Sequence, residues 1–280
     1  MYTRNLGKTG PQVPAIGLGC MGLSEFYGPA TDQREAIRLL HEATELGVVH
    51  FDTAEMYGLG STNESLLGGA FSDRRDQVFI ATKFGPTRDP VSGAFTGIAG
   101  SREHCRRAVE GSLRTLRRAA AVHPIAAVQS EYSIFSRDIE SEVIPACLEV
   151  GASLVAYSPL GRGMLSGRFK QQGLVEGDFR RNHPRFSGAA FDVNVQLVDE
   201  IESIATAHDC LSAQIALAWV LSRGEHVMTI PGTTKLENLK TNLGAYAVQL
   251  TGEERDLLDL LADRVSGQRY DERGMSTINA

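Results

Sequence analysis

Cysteine is sparse in this chain and carries no pattern. The four thiols, Cys20, Cys105, Cys147 and Cys210, show neither paired nor metal-like spacing, so they read as buried thiols in a reducing compartment. Excess positive charge is missing too. With 28 basic against 34 acidic residues the formal net charge is -6, and the pI is near 5.7. That balance argues against nucleic acid or an anionic membrane as the main partner and leaves room for a local basic site for a phosphate. No apolar run is long enough to span a membrane, and residues 1–5 lack the hydrophobic stretch of a signal peptide. Low-complexity tracts are absent as well. The absences point to a globular protein, expected in the cytoplasm. Its 280 residues can bury a large core as one barrel or one doubly wound domain.

What is present is alternation. Residues 3–6 and the return at Val13 flank the turn Gly7-Lys8-Thr9-Gly10 and read as a β-hairpin. Strands are expected over 15–19, 48–52, 78–82, 125–128, 153–157 and 227–230. Amphipathic helices are expected over 33–46, 63–71, 102–122, 139–150, 193–208, 212–223, 235–245 and 252–265. Asp32 with Glu35 has the form of a capping box, and Gly47 and Gly151 are helix stops. Strands interleaved with amphipathic helices imply βαβ units and a parallel sheet. Residues 84–100 read as a polar loop, 158–191 as a long loop whose arginines are mostly solvated, and the tail from Ser266 as loosely structured.

Two strand ends carry chemistry. Val48-Val49-His50-Phe51 is a buried strand that runs into Asp52 and, five residues later, Tyr57; the next strand runs straight into Lys83. Strand C-terminal ends are where α/β proteins place their reactive groups. A phenol titrates near ~10, and a neighbouring ammonium would bring it closer to neutral pH. Taken singly, each residue also has a plain structural reading: a turn or cap aspartate, a packed loop tyrosine, a solvated strand-end lysine. Gly17-x-Gly19-x-x-Gly22 has dinucleotide-loop spacing, but no helix directly follows it and no acidic residue closes the unit, so it reads as coincidence.

Gly17-Leu18-Gly19-Cys20-Met21-Gly22, Phe51-Asp52-Thr53-Ala54-Glu55-Met56-Tyr57 and Ala81-Thr82-Lys83 resemble the aldo-keto reductases. So do Gln129-Ser130-Glu131-Tyr132-Ser133, Ala156-Tyr157-Ser158-Pro159-Leu160-Gly161-Arg162-Gly163 and Ile230-Pro231-Gly232-Thr233-Thr234-Lys235. The matches run in order along nearly the whole chain. The resemblance implies an α/β fold of the eight-stranded (β/α) TIM-barrel family with an N-terminal hairpin, as one domain over 1–280. It implies reversible, NADPH-dependent reduction of a small aldehyde or ketone, with Tyr57 as proton donor assisted by Lys83 and Asp52.

The cofactor residues follow by the same resemblance. Gly19, Cys20 and Met21 would line the pocket beside the nicotinamide, Tyr157 would stack under its ring, and Gln129 would bond its carboxamide. Ser158, Leu160, Gly161 and Arg162 would follow the pyrophosphate. Gly232, Thr233, Thr234 and Lys235 would hold the adenosine 2′-phosphate, with Asn238 and Asn242 on the phosphate or the adenine. Many relatives carry a basic residue where this chain has Asn238 and an acidic one at Thr241.

The chain departs from the family pattern at one place. Ser112 to Arg117 looks like the end of one family helix and Arg118 to Pro124 like the tail of a later one, joined near 117–118. About fifty residues, including the fourth and fifth strands, are expected to be missing between them. The family's catalytic histidine ends the fourth strand, and none of the seven histidines here matches it; surface or satisfied core positions are expected for all seven. Loss of one oxyanion donor would lower kcat by ~10²–10³. An NADP(H)-binding protein with little or no turnover is therefore the alternative reading.

Overall fold

The computed structural model describes residues 1–83, 86–89, 92, 95–98, 125–168, 174–272 and 275. The expected hairpin is present as β1 (Thr3–Asn5) and β2 (Gln12–Pro14), paired antiparallel. The first core strand is shorter than its apolar run: β3 is Leu18–Gly19, and Ile16 makes only an isolated bridge. Helix α1 (Gln33–Glu45) buries Ala36, Leu39, Leu40 and Ala43. Its cap is one-sided, with Asp32 accepting from the backbone N–H groups of Arg34 and Glu35. Then come β4 (His50–Asp52), α2 (Thr62–Ala70) and β5 (Phe79–Ala81).

The stretch after Lys83, read from sequence as a loop, contains an antiparallel hairpin of β6 (Pro86–Arg88) and β7 (Phe95–Ile98). The 102–122 helix and the 117–118 junction lie outside the described residues. Strand β8 is Ala127–Glu131, displaced toward the polar residues Gln129 to Glu131 from the expected 125–128. Its position is set by parallel pairing with β9 (Ser153–Tyr157), which the apolar run alone does not specify. Helix α3 (Val143–Val150) stops at Gly151, where φ is +72°, a conformation glycine adopts without strain. The rest follows the expected order: α4 (Gly188–Ala207), α5 (Ser212–Leu221), β10 (Val227–Thr229), α6 (Leu236–Leu243) and α7 (Gly252–Leu260).

The parallel strands form two three-stranded sheets, β3-β4-β5 and β10-β9-β8. Parallel bridges from Ile16 to Thr229 and from Gly19 to Gly232 join β3 to β10, giving one continuous curved wall. Leu6, Val13, Val155, Met228 and Ile230 fill its interior. The hairpin seals the N-terminal end of the strands: the Gly7 N–H donates to Ser153 Oγ and the Lys8 N–H to the Gly151 carbonyl. Outside the wall, Phe51, Leu40, Leu67 and Phe71 pack under α1 and α2, and Trp219, Tyr132, Leu154 and Ile201 pack under α4 and α5. Each large apolar side chain buried this way contributes roughly 1.5–3 kcal/mol. With one end sealed, the opposite ends of the strands are left to form the site. No single described helix is long and apolar enough to cross a membrane.

Candidate active site

At the C-terminal ends of the strands lies a cavity of about 1040 Å³. The loop after β4 is tied to the end of β5, because the Thr53 N–H donates to the Ala81 carbonyl at 2.8 Å and the Glu55 N–H to the Lys83 carbonyl at 3.0 Å. This stitching brings Tyr57 and Lys83 to the same rim. Lys83 Nζ donates to Asp52 Oδ2 at 2.6 Å and to the Thr53 carbonyl at 2.8 Å, and it sits 4.9 Å from the centre of the Tyr57 ring. Asp52, Tyr57 and Lys83, far apart in the chain, therefore form one cluster facing the cavity.

The electrostatics differ from the sequence expectation in one respect. The Tyr57 hydroxyl is held well above the ordinary phenol range, first by burial and then by the Asp52 carboxylate. Lys83, whose ammonium bonds Asp52 and Thr53 and lies over the Tyr57 ring, does not outweigh these two effects in the free protein. Burial likewise raises the pKa of Asp52, opposed by Lys83 and by the Gln129 amide, whose Nε2 donates to Asp52 Oδ1 at 2.7 Å. The Gln129 nitrogen is thus already engaged in the protein.

Gly19, Met21, Tyr157, Ser158 and Leu160 line the cavity, but Cys20 and Gly161 do not. The Cys20 thiol is fully buried, points back to the Leu18 carbonyl, and has its pKa pushed up by that burial. Gly161 instead shapes its loop at φ +54°, beside Ser158 and Arg162, which also adopt the left-handed region. Arg162 faces the cavity with its charge already matched. Its Nη2 donates to Glu131 Oε2 at 2.9 Å, and the two side chains are 8% and 3% exposed. Arg162, expected to follow the pyrophosphate, thus reaches the cavity as half of a buried ion pair. Arg180 and Arg185 are not solvated either: Arg180 pairs with Asp178, and Arg185 donates to Ser136 Oγ.

On the opposite wall, Gly232, Thr233, Thr234, Lys235, Asn238 and Asn242 line the cavity where α6 begins. Thr233 Oγ1 accepts from the Lys235 N–H at 3.1 Å, while the Lys235 side chain reaches solvent. Asn238 Oδ1 is buried without a hydrogen-bond partner. A lone buried carbonyl oxygen on a cavity wall is a standing acceptor for a ligand. A side chain at Gly232 would come within 3.2 Å of the Gly19 carbonyl, so the two loops meet here as bare backbone.

Glu131, Tyr270 and His183 also contribute to the site, though none is among the expected catalytic or cofactor-binding residues. Glu131 Oε2 accepts from both Arg162 and the Tyr270 hydroxyl, and Tyr270 in turn lies 3.0 Å from the Tyr157 hydroxyl. Residues 266–272 are therefore ordered against the site: the Ser266 N–H donates to Asn194 Oδ1, and Asn194 Nδ2 to the Ser266 carbonyl. His183 is neither at the surface nor satisfied. It is buried in the cavity wall, and neither ring nitrogen has a hydrogen-bond partner. Burial lowers its pKa to about 4, so it is neutral at pH 7. His50 and His226 also each keep one buried ring nitrogen unpartnered, so the expectation of satisfied core histidines fails for all three.

The model of the aldo/keto reductase family matches this chain over residues 15–122 and 116–263. The chain belongs to that family. The match falls into two pieces that meet at 116–122, the place where the sequence departs from the family pattern. Among solved structures, the thermostable aldo-keto reductase Tm1743, determined in complex with the inhibitor epalrestat, is 29% identical; the match covers 93% of this chain and all of the other, with a TM-score of 0.66. The glycerol dehydrogenase AKR11B4 from Gluconobacter oxydans is 23% identical, covering 94% of this chain and 96% of its own, with a TM-score of 0.75. The holo form of AKR11C1 from Bacillus halodurans is also 23% identical, covers both chains fully and has a TM-score of 0.69. At 23% the last two speak for the fold alone, which is that of the TIM-barrel aldo-keto reductases. The family places this chain among oxidoreductases of small carbonyl compounds.

Proposed function

We propose that this aldo-keto reductase uses NADPH to reduce an aldehyde or ketone to an alcohol. The observation that carries the reading is the Asp52–Lys83 pair under Tyr57, facing a cavity large enough for a dinucleotide and a small substrate. The unpartnered Asn238 oxygen and the exposed Lys235 ammonium beside Thr233 and Thr234 fit a phosphorylated adenosine end. Tyr157 offers its ring to the nicotinamide, and Gln129 offers its carbonyl oxygen to the carboxamide. Bound there, NADPH supplies a hydride to the carbonyl carbon.

The chain's own residues handle the proton. Tyr57, held protonated by burial, donates its hydroxyl proton to the carbonyl oxygen as charge develops on it. Lys83, anchored by Asp52, places a positive charge beside the tyrosinate that forms and stabilises it. The 2′-phosphate contact falls to Lys235 and the start of α6, where the ammonium is exposed. The domain is read as a single unit over 1–280, with two βα units absent at 117–118; the split of the family match at 116–122 supports that reading.

Trp219 is buried behind the core and does not line the cavity, so binding is best followed by the fluorescence of the cofactor itself. NADPH should bind at micromolar concentration or below and turn over with simple aldehydes. Tyr57→Phe should lose at least 100-fold in kcat with unchanged NADPH affinity. Binding without turnover in the wild type would select the non-catalytic NADP(H)-binding protein. No binding of NADPH or NADH by the folded chain would end the reductase reading.

A further inference from the structure

The Asp52 carboxylate is almost completely enclosed, its side chain 5% exposed, and each oxygen has one donor. Lys83 holds Oδ2 at 2.6 Å and Gln129 holds Oδ1 at 2.7 Å. The two donors come from different sheets. Lys83 follows β5, the immediate neighbour of β4, whereas Gln129 stands on β8, which among the described residues pairs with β9 and belongs to the other sheet. Among the described residues, the Gln129 amide makes the one hydrogen bond that reaches the Asp52–Lys83 pair from that second sheet. The anchors of Lys83, Asp52 and the Thr53 carbonyl, both lie on β4 and its loop, and the Lys83 side chain is 32% exposed. Among the described residues, no other side-chain hydrogen bond holds the Asp52 carboxylate or the Lys83 ammonium in place.

We propose that Gln129 is a positioning residue that clamps the second Asp52 oxygen from the other sheet and so fixes the Asp52–Lys83 pair beneath Tyr57. The proposal rests on the reductase reading for its catalytic consequence, though the clamp itself is a property of the free protein. The groups facing Asp52 are Lys83 at the end of β5, Tyr57 in the loop after β4, Cys20 in the loop after β3 and the neutral amide of Gln129 on β8. His50 lies two residues back on the same strand. Of these, Lys83 and Gln129 favour the carboxylate over its protonated form against the effect of burial. Removing the Gln129 donor leaves Oδ1 buried with no partner, which makes protonation easier. Protonated Asp52 no longer anchors the Lys83 ammonium, so the pair loosens as the pH falls.

The test follows the Asp52 carboxyl carbon by 13C NMR in aspartate-labelled protein without cofactor, the signal being assigned by its loss in Asp52→Asn. In Gln129→Leu, which keeps the side-chain bulk and loses the donor, the titration midpoint should rise by about one pH unit. The acid limb of kcat/KM should rise with it. Gln129→Glu sets a second carboxylate against the first and should move the midpoint further, which serves if the leucine variant is unstable. A midpoint unchanged in a variant that keeps the wild-type circular dichroism overturns the proposal. If the wild type binds NADPH without turnover while the midpoint still moves, the clamp stands and the reductase reading falls. If the wild type turns over and neither midpoint nor acid limb moves, the reductase reading stands and the clamp falls.

Discussion

In the proposed reaction Tyr57 would handle the proton and Lys235 the 2′-phosphate. Tyr57 sits in a buried, carboxylate-facing position that keeps its proton on until a stronger base forms beside it. Lys235 is the opposite kind of residue, an exposed cation at the start of α6, next to the unpartnered Asn238 oxygen. Its contact with a 2′-phosphate would be a charge-assisted hydrogen bond, worth roughly 1.5–3 kcal/mol. Lys235→Ala should therefore weaken NADPH binding by at least tenfold and leave NADH binding nearly unchanged, as read by titration of cofactor fluorescence. Equal losses for both cofactors would remove Lys235 from the phosphate site. Arg162→Ala should act differently. Glu131 would be left buried without its cation, so the loss appears first in the thermal midpoint rather than in cofactor preference.

Helix α4 does more than cover β9. Its residue Asn194 is fully buried and makes three hydrogen bonds, to the Arg185 carbonyl and to both the N–H and the carbonyl of Ser266. Those bonds pin the segment that carries Tyr270, and Tyr270 closes the chain of contacts from Tyr157 to Glu131 and Arg162. Replacing Asn194 with leucine strands two backbone groups of Ser266 and should cost about 2–3 kcal/mol. Hydrogen exchange at residues 266–272 is expected to accelerate before any change in α5 or β9. If exchange there is unaltered, the tail is held by other means. The ends of the parallel strands show the same logic: glycines 19 and 232 let β3 and β10 meet as backbone, so the wall continues where a side chain would part the loops.

For the molecule as a whole, stability should fall as the medium turns acidic, through two buried histidines. His50, inside the wall, and His183, in the cavity wall, both have their pKa lowered to about 4 by burial. In the unfolded chain the same groups titrate near ~6.5. Between these values the unfolded state binds more protons, so stability rises with pH and is lost as pH falls through that window. From pH 7 to pH 5 each histidine contributes a loss of about 2 kcal/mol. Thermal midpoints measured at both values should differ clearly for the wild type and by less for His50→Leu. An equal drop in both proteins would show that His50 is not the group responsible.

The alternation of strands and helices, the hairpin, the cap at Asp32 and the helix stop at Gly151 were legible in the sequence because each depends on nearby residues. So was the gathering of Asp52, Tyr57 and Lys83, since strand ends in a parallel α/β fold point to one face. The signals failed where partners are distant. The Asp52–Gln129 bond spans 77 residues and the Tyr270–Glu131 bond 139, and no periodicity marks either. Nor does the sequence mark the pairing of Arg162 with Glu131, 31 residues away. Local sequence thus determined which residues reach the site, because backbone geometry repeats over short spans. Tertiary structure alone decided their charge and bonding, because the field at a buried group is set by whichever groups packing brings within a few ångströms.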